Sequence, residues 1–233
     1  MGDDKEMTII EHLEELRERL IKSIIALAAT TLLSLAFSSR LVKIIMVPAG
    51  DVKPVFLRPT EGVLTYFRVA LLAGVALALP IIAYQIAQFV IPGMQATERR
   101  YLFLLLPGAV LSFVAGAAFS YFFMLPASLG FLANFGSDIA EANWAIGEYI
   151  AFVTNLMFWT GVIFEAPLLA FFLAKLGVVT PQMLAKNRKY ALLVSAVLAA
   201  VITPTPDPFN MMLVMAPLVV LFEISVWVTK LAR

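Results

Sequence analysis

The chain has no cysteine and one histidine, His12. The first absence excludes disulfides, thiolate metal sites and cysteine nucleophiles. The second excludes multi-histidine metal sites and histidine relays. Charge is scarce as well: Asp, Glu, Lys and Arg make up 14% of 233 residues and nearly cancel, leaving a net +1. That balance carries no signal for nucleic acid. No His-Asp-Ser constellation, metal-ligand cluster or phosphate loop is present, so the residues point to no enzyme and no cofactor. What fills the chain instead is apolar. Hydrophobic residues make up 61% and the mean hydropathy is +0.92, against roughly half apolar content in soluble domains. This is the composition of an integral membrane protein.

A helix needs about 20 apolar residues to cross roughly 30 Å of hydrocarbon. Six stretches qualify or come near: 20–39, 65–90, 101–126, 149–174, 190–202 and 209–228. They leave no room for a separate soluble domain, so 1–233 reads as one all-α polytopic unit with a cytoplasmic amphipathic segment at 1–19. Lys and Arg collect on cytoplasmic flanks. Lys5, Arg17, Arg19 and Lys22 fall on one side with Arg99, Arg100, Lys175, Lys186, Arg188, Lys189, Lys230 and Arg233, whereas only Arg40, Lys43, Lys53 and Arg58 fall opposite. Both termini are therefore expected in the cytoplasm. The acidic N-terminus is unlike a cleavable signal peptide, so the first span should remain as an anchor.

The fifth span is short. Residues 190–202 rise only about 20 Å, and Thr203-Pro204-Thr205-Pro206-Asp207-Pro208 cannot continue a helix. This hairpin should stop short of the outer surface and thin the bilayer or admit water. Pro80, Pro107, Pro167 and Pro217 should bend their helices, giving a concave bundle. Residues 40–64 and 127–148 read as connections.

Two polar features stand out. Thr8 and Glu11 have capping-box spacing, predicting a helix start at Ile9. Ile9, Leu13, Leu16 and Leu20 then form an apolar stripe, with Glu11, Glu14, Glu15 and Glu18 on the other faces. Arg19, four after Glu15, offsets part of the repulsion among these acids. Glu165 lies mid-span, where a carboxylate costs on the order of 3 kcal/mol or more and is by default a functional suspect. Glu223, deep in the last span, reads as a second buried acid that either pairs or hydrogen-bonds with another helix or serves transport, and His12 as a pH sensor or a hydrogen-bond partner of a neighbouring loop.

His12-Leu13-Glu14-Glu15-Leu16-Arg17-Glu18-Arg19-Leu20 resembles the N-terminal HLxELRxRL motif of the TatC family, the signal-recognition subunit of the twin-arginine protein translocase. Further stretches agree in order: Arg58-Pro59-Thr60-Glu61-Gly62, Pro80 to Gln85 with Phe89, Pro92 and Gly93, Glu98-Arg99-Arg100, Gly116 to Phe122 with Leu125-Pro126, Phe164-Glu165-Ala166-Pro167, Thr203-Pro204 through Asp207, and Leu221-Phe222-Glu223-Ile224. Two positions depart. Ala87 stands where the family carries a tryptophan after its Tyr-Gln pair, and Asn210-Met211 replaces a Ser-Gln pair.

The resemblance implies a receptor that binds twin-arginine signal peptides of folded cargo and organises their export, driven by the proton motive force. It implies a prokaryotic cytoplasmic membrane, TatA-like and TatB-like single-span partners, and room for self-association and lipid contact. It carries signal binding to Glu15 and Glu98, with Leu16, Arg17, Arg19 and Phe89 beside them. Arg17 and Arg19 should orient the acids or meet lipid phosphate. Partner helices should dock at Thr203, Asp207, Asn210 and Met211, with Asn210 or Thr203 supplying the bond that the family's glutamine would make. A competing reading is a small proton-coupled transporter using Glu165 and Glu223, which would need a closed midplane cavity.

Overall fold

The computed structural model describes residues 9–50, 52–90, 96–203, 205 and 207–232, with the side chains of 9 and 96–105 outside that description. Its helices are α1 (Ile9–Leu35), α2 (Ser38–Met46), α3 (Glu61–Val90), α4 (Ala96–Phe119), α5 (Leu125–Asn134), α6 (Ile146–Phe164), α7 (Ala166–Lys175), α8 (Pro181–Lys186), α9 (Arg188–Ile202) and α10 (Pro208–Leu231). No strand occurs among the described residues. An isolated bridge joins Val55 to Ala145, through Val55 N–H to Trp144 O and Ile146 N–H to Val55 O, both 2.9 Å.

α1 is helical from Ile9, the first described residue, and Thr8 of the expected capping box lies outside the described residues. No Gly or Pro interrupts its 27 residues, so the amphipathic turns and the membrane helix form one rod about 40 Å long. The first span was expected to reach residue 39. It ends at Leu35 instead, where Ser38 Oγ donates to Leu35 O at 2.7 Å and the chain turns by 79°. The expected connection 40–64 therefore contains α2, an amphipathic helix with Arg40 and Lys43 exposed and Ile45 buried.

The third span, expected to end at 126, runs on as helix beyond α4. A π turn over Ser120–Met124 leads into α5, which carries the helix to Asn134. Pro126, which has no N–H to continue the ladder, directly follows the wide turn in which Leu125 N–H donates to Ser120 O, and Leu125 and Leu129 anchor the extension in the core. Pro80, Pro107 and Pro217 lie inside continuous helices. Pro167 coincides with a one-residue interruption: α6 stops at Phe164, Glu165 is a turn residue that keeps right-handed helical angles (φ −71°, ψ −19°), and α7 begins at Ala166, so the span 146–175 stays one rod.

Four stretches are long and apolar enough to cross a membrane, or five if the bent α1–α2 pair counts as one. α9 falls below that length with 15 residues, about 22 Å, which accounts for the difference from six. Leu32 (67% exposed), Val201 (73%) and Trp227 (67%) belong to a wide apolar exterior. In water such a surface would be an aggregation hazard; against lipid chains it is ordinary.

Lipid is as apolar as leucine, so contacts between spans rest on close packing and hydrogen bonds. Ile150, Val153 and Leu156 of α6 are fully buried and form the centre. At the α1–α3 crossing, Thr30 Oγ1 donates to Gly74 O at 2.8 Å, and a Cβ on Gly74 would lie 2.8 Å from Thr31 Cα. α4 and α6 meet through Gly116 and Gly161, with Phe113 against Gly161.

Candidate functional site

Glu15 sits two turns into α1, facing the last turns of α3. Its Oε1 accepts a hydrogen bond from Arg19 Nη2 at 2.9 Å, the i,i+4 spacing at which helical side chains meet. Arg19 Nη1 reaches across to Gln85 Oε1 at 3.3 Å. The pair is well shielded, at 13% and 24% side-chain exposure. Glu15 Oε2 is buried and has no hydrogen-bond partner; His12 Nδ1 stands 3.7 Å away. His12 was expected to bond a loop. Its ring instead stacks on Phe89 of α3, at 4.3 Å between centroids and 12° between planes, because α1 and α3 run side by side here.

Leu16 is half-buried beside this group and Arg17 is exposed. Lys22 pairs with Glu18 at 2.6 Å. Glu98 lies in the first turn of α4, and its side chain is outside the description. Gln85 was not expected to take part, because its contact with Arg19 spans 66 residues and no local spacing reveals it. The chemical content is a carboxylate with one oxygen engaged by a resident guanidinium and the other buried without a hydrogen-bond partner. Carboxylates accept guanidinium N–H groups in pairs, with charge-assisted strength.

Glu165 lies on the break between α6 and α7 and lines a cleft of about 290 Å³ with Ile82, Ile86, Leu106, Val162 and Leu169. Its Oε1 is buried without a partner. Glu223 pairs with another helix, one of the two roles expected of it, but is only partly buried. Arg188, opening α9, holds it with Nε–Oε1 at 2.7 Å and Nη2–Oε2 at 2.8 Å, a bidentate pair at the exposed end of the α9–α10 hairpin. The two acids of the transporter reading thus occupy separate places.

In the turn between α9 and α10 several side-chain donors are used locally, while Asn210 Oδ1 is buried without a hydrogen-bond partner. Thr203 Oγ1 donates to Ala199 O at 2.7 Å. Asp207 caps α10, accepting Asn210 N–H at 2.7 Å and Asn210 Nδ2 at 2.8 Å. Asn210 Nδ2 also reaches Thr205 Oγ1 at 3.3 Å. Asn210 is fully buried and Met211 packs against the core. Asn210 and Thr203, expected to face a partner helix, therefore use their donors inside the turn. Burial pushes the Asp207 carboxyl up, but hydrogen bonds from Asn210, Thr205 and Phe209 outweigh it and hold the group below its ordinary value. With a depressed folded-state value, the cap's contribution is fully present above the usual carboxylate range and is lost as pH falls through the lowered one. Asp207→Ala is expected to cost about 1 kcal/mol, read as a lower melting temperature near neutral pH that converges with the parent in acid.

The family model for "Sec-independent protein translocase protein (TatC)" matches residues 11–217. The chain belongs to the TatC family. A TatC of Carboxydothermus hydrogenoformans is 39% identical over 233 residues, covering 99% of this chain and 96% of that one. A chloroplastic TATC of Arabidopsis thaliana is 40% identical over 233 residues, covering 99% of this chain and 68% of its own length. A crystal structure described as the twin arginine translocase receptor TatC superposes with a TM-score of 0.85 at 37% identity, over 95% of this chain and 99% of that one. TatC proteins are translocase components and not catalysts, and this chain is a multi-pass membrane protein of that kind.

Proposed function

We propose that the chain is the core receptor of a twin-arginine translocase, binding the consecutive arginines of cargo signal peptides at Glu15 and Glu98. The observation that carries this is the Glu15 carboxylate, buried on one oxygen, engaged by Arg19 on the other and set beside His12, whose ring stacks on Phe89. Two adjacent guanidinium groups need two acidic acceptors on different segments, and α1 and the first turn of α4 supply them. Arg19 orients Glu15, and Arg17 meets solvent or lipid phosphate. We assign both termini to the cytoplasm of a prokaryote, from the Lys and Arg asymmetry. TatA-like and TatB-like single-span subunits are the expected partners, packing on the lipid-facing side of the α9–α10 hairpin around the Thr203–Met211 turn.

Binding of a twin-arginine peptide to the purified protein, against a twin-lysine version, tests the reading. Arginine forks match carboxylates where ammonium groups do not, so the twin-arginine peptide should bind more tightly. Equal binding removes the proposal. The short α9 adds a depth expectation: a spin label at Thr203 should sit below the nearer headgroup plane, and one at Glu165 should stay accessible to a polar quencher. A label at Thr203 level with the headgroups, with Glu165 sealed, would leave both residues structural.

A further inference from the structure

Arg68 belongs to the same long apolar helix as Gln85 but points elsewhere. It lies seven residues beyond Glu61, the start of α3, or about 10 Å along the axis. One of its donors, Nη1, bonds Gly147 O at 2.9 Å. Among the described residues no carboxylate pairs with it, so most of its N–H donors and its full charge remain uncompensated within the protein. It opens onto a cleft of about 360 Å³ between α1, α3 and α6, walled by Leu27, Leu71, Leu72, Val75 and Phe158. Asn155 of α6 lines the same cleft. It is exposed, lies nine residues beyond Ile146 and has no hydrogen-bond partner among the described residues. Thr154, its neighbour, is not available in the same way, since its hydroxyl donates to Ile150 O at 2.6 Å.

The cleft therefore offers an arginine fork and a carboxamide as donors, over an apolar floor, with no anion of its own. In hydrocarbon such groups are costly unless partnered. A free inorganic anion would meet the donors and gain nothing from the floor. A neutral apolar chain would fill the floor and leave the donors unmet. We propose that this cleft is a phospholipid site, with the phosphodiester on Arg68 and Asn155 and an acyl chain along Leu71, Val75 and Phe158. The headgroup would then sit about two turns below the end of α3, inside the ordinary hydrocarbon boundary. The site is separate from signal binding at Glu15 and does not depend on it.

The test uses the full chain in a phosphate-free detergent. Phosphatidylglycerol, a glucosyl diacylglycerol lacking phosphate, and inorganic phosphate are titrated separately against thermal unfolding, since a ligand of the folded state raises the melting temperature. Phosphatidylglycerol should stabilise at the lowest concentration. Arg68→Gln should raise its half-saturating concentration about ten-fold, the loss expected for one charge-assisted bond, and Asn155→Leu should raise it by less. Arg40→Gln, an exposed cation on α2, should leave it unchanged. Equal stabilisation by the glucosyl lipid, full stabilisation by inorganic phosphate alone, or unchanged affinity in Arg68→Gln would each overturn the proposal. If Arg68→Gln does not fold, Arg68→Lys and Asn155→Leu decide by native mass spectrometry, where phospholipid retention equal to the parent in both overturns it. A peptide that occupies the cleft in place of phospholipid overturns it too.

Discussion

Glu15→Gln is expected to weaken binding of a twin-arginine peptide about ten-fold, with Glu98→Gln losing between roughly ten- and a hundred-fold. The range comes from roughly 1.5–3 kcal/mol for removing one member of a charge-assisted pair. Glu15 is placed at the low end because it is already engaged by Arg19 at 2.9 Å. An incoming guanidinium gains only the difference between sharing or displacing that resident and leaving it alone. Glutamine preserves the shape and removes the charge, so the bundle should still melt near the parent temperature. Peptide titrations in which both variants bind as tightly as the parent would take these acids out of the site.

Gly116→Ala is expected to damage the fold severely, as Gly74→Ala would at the α1–α3 crossing. A Cβ on Gly116 would stand 2.6 Å from Thr160 O and 2.9 Å from Gly161 Cα. Both are backbone atoms and cannot rotate away, so α4 and α6 must separate. Gly161→Ala meets the Phe113 ring at 2.7 Å, and that ring is itself 2% exposed. Overpacking typically costs about 1–3 kcal/mol and occasionally more; backbone collision belongs at the top of that range. Gly130→Ala is the matched control, since a Cβ on Gly130 in α5 meets nothing within 4 Å. Thermal melting of the three variants in one detergent decides the matter. A Gly116→Ala protein as stable as Gly130→Ala would mean that the helices pack less closely than described.

The long spans and the short fifth helix were legible because each rests on local chemistry, run length and a proline cluster, whereas nothing local told Pro167, where the helix is interrupted, from Pro80, Pro107 and Pro217, where it is not. α2 and α5 were not, since nine and ten residues are too few to register as spans and were absorbed into connections. Arg68 and Asn155 were hidden for the opposite reason. Each lies in a stretch so apolar that the average conceals one polar residue, although a lone arginine inside a span is itself a signal. Glu15 and Glu98 were nominated by motif resemblance. That Glu15 is tied through Arg19 to Gln85, and that His12 lies flat on Phe89, depends on how α1 and α3 pair. Glu223 looked buried from its depth in the last span, and the Arg188 fork that occupies it comes from a different helix.

The length of α9 has a consequence for how the protein is made. Its 15 residues cover about 22 Å of a hydrocarbon slab near 30 Å, too little to be held in a bilayer alone while the ribosome is still adding α10. Glu223, the partner of its first residue, Arg188, is synthesised 35 residues later. α9 and α10 should therefore enter the membrane as one folded hairpin, after the longer helices have committed singly. A chain truncated before Asp207 and released from the ribosome is expected to leave α9 open to protease while the helices α3, α4 and α6 are already protected. The shortness that should thin the bilayer around the finished protein is thus the same property that makes its last two helices inseparable at birth.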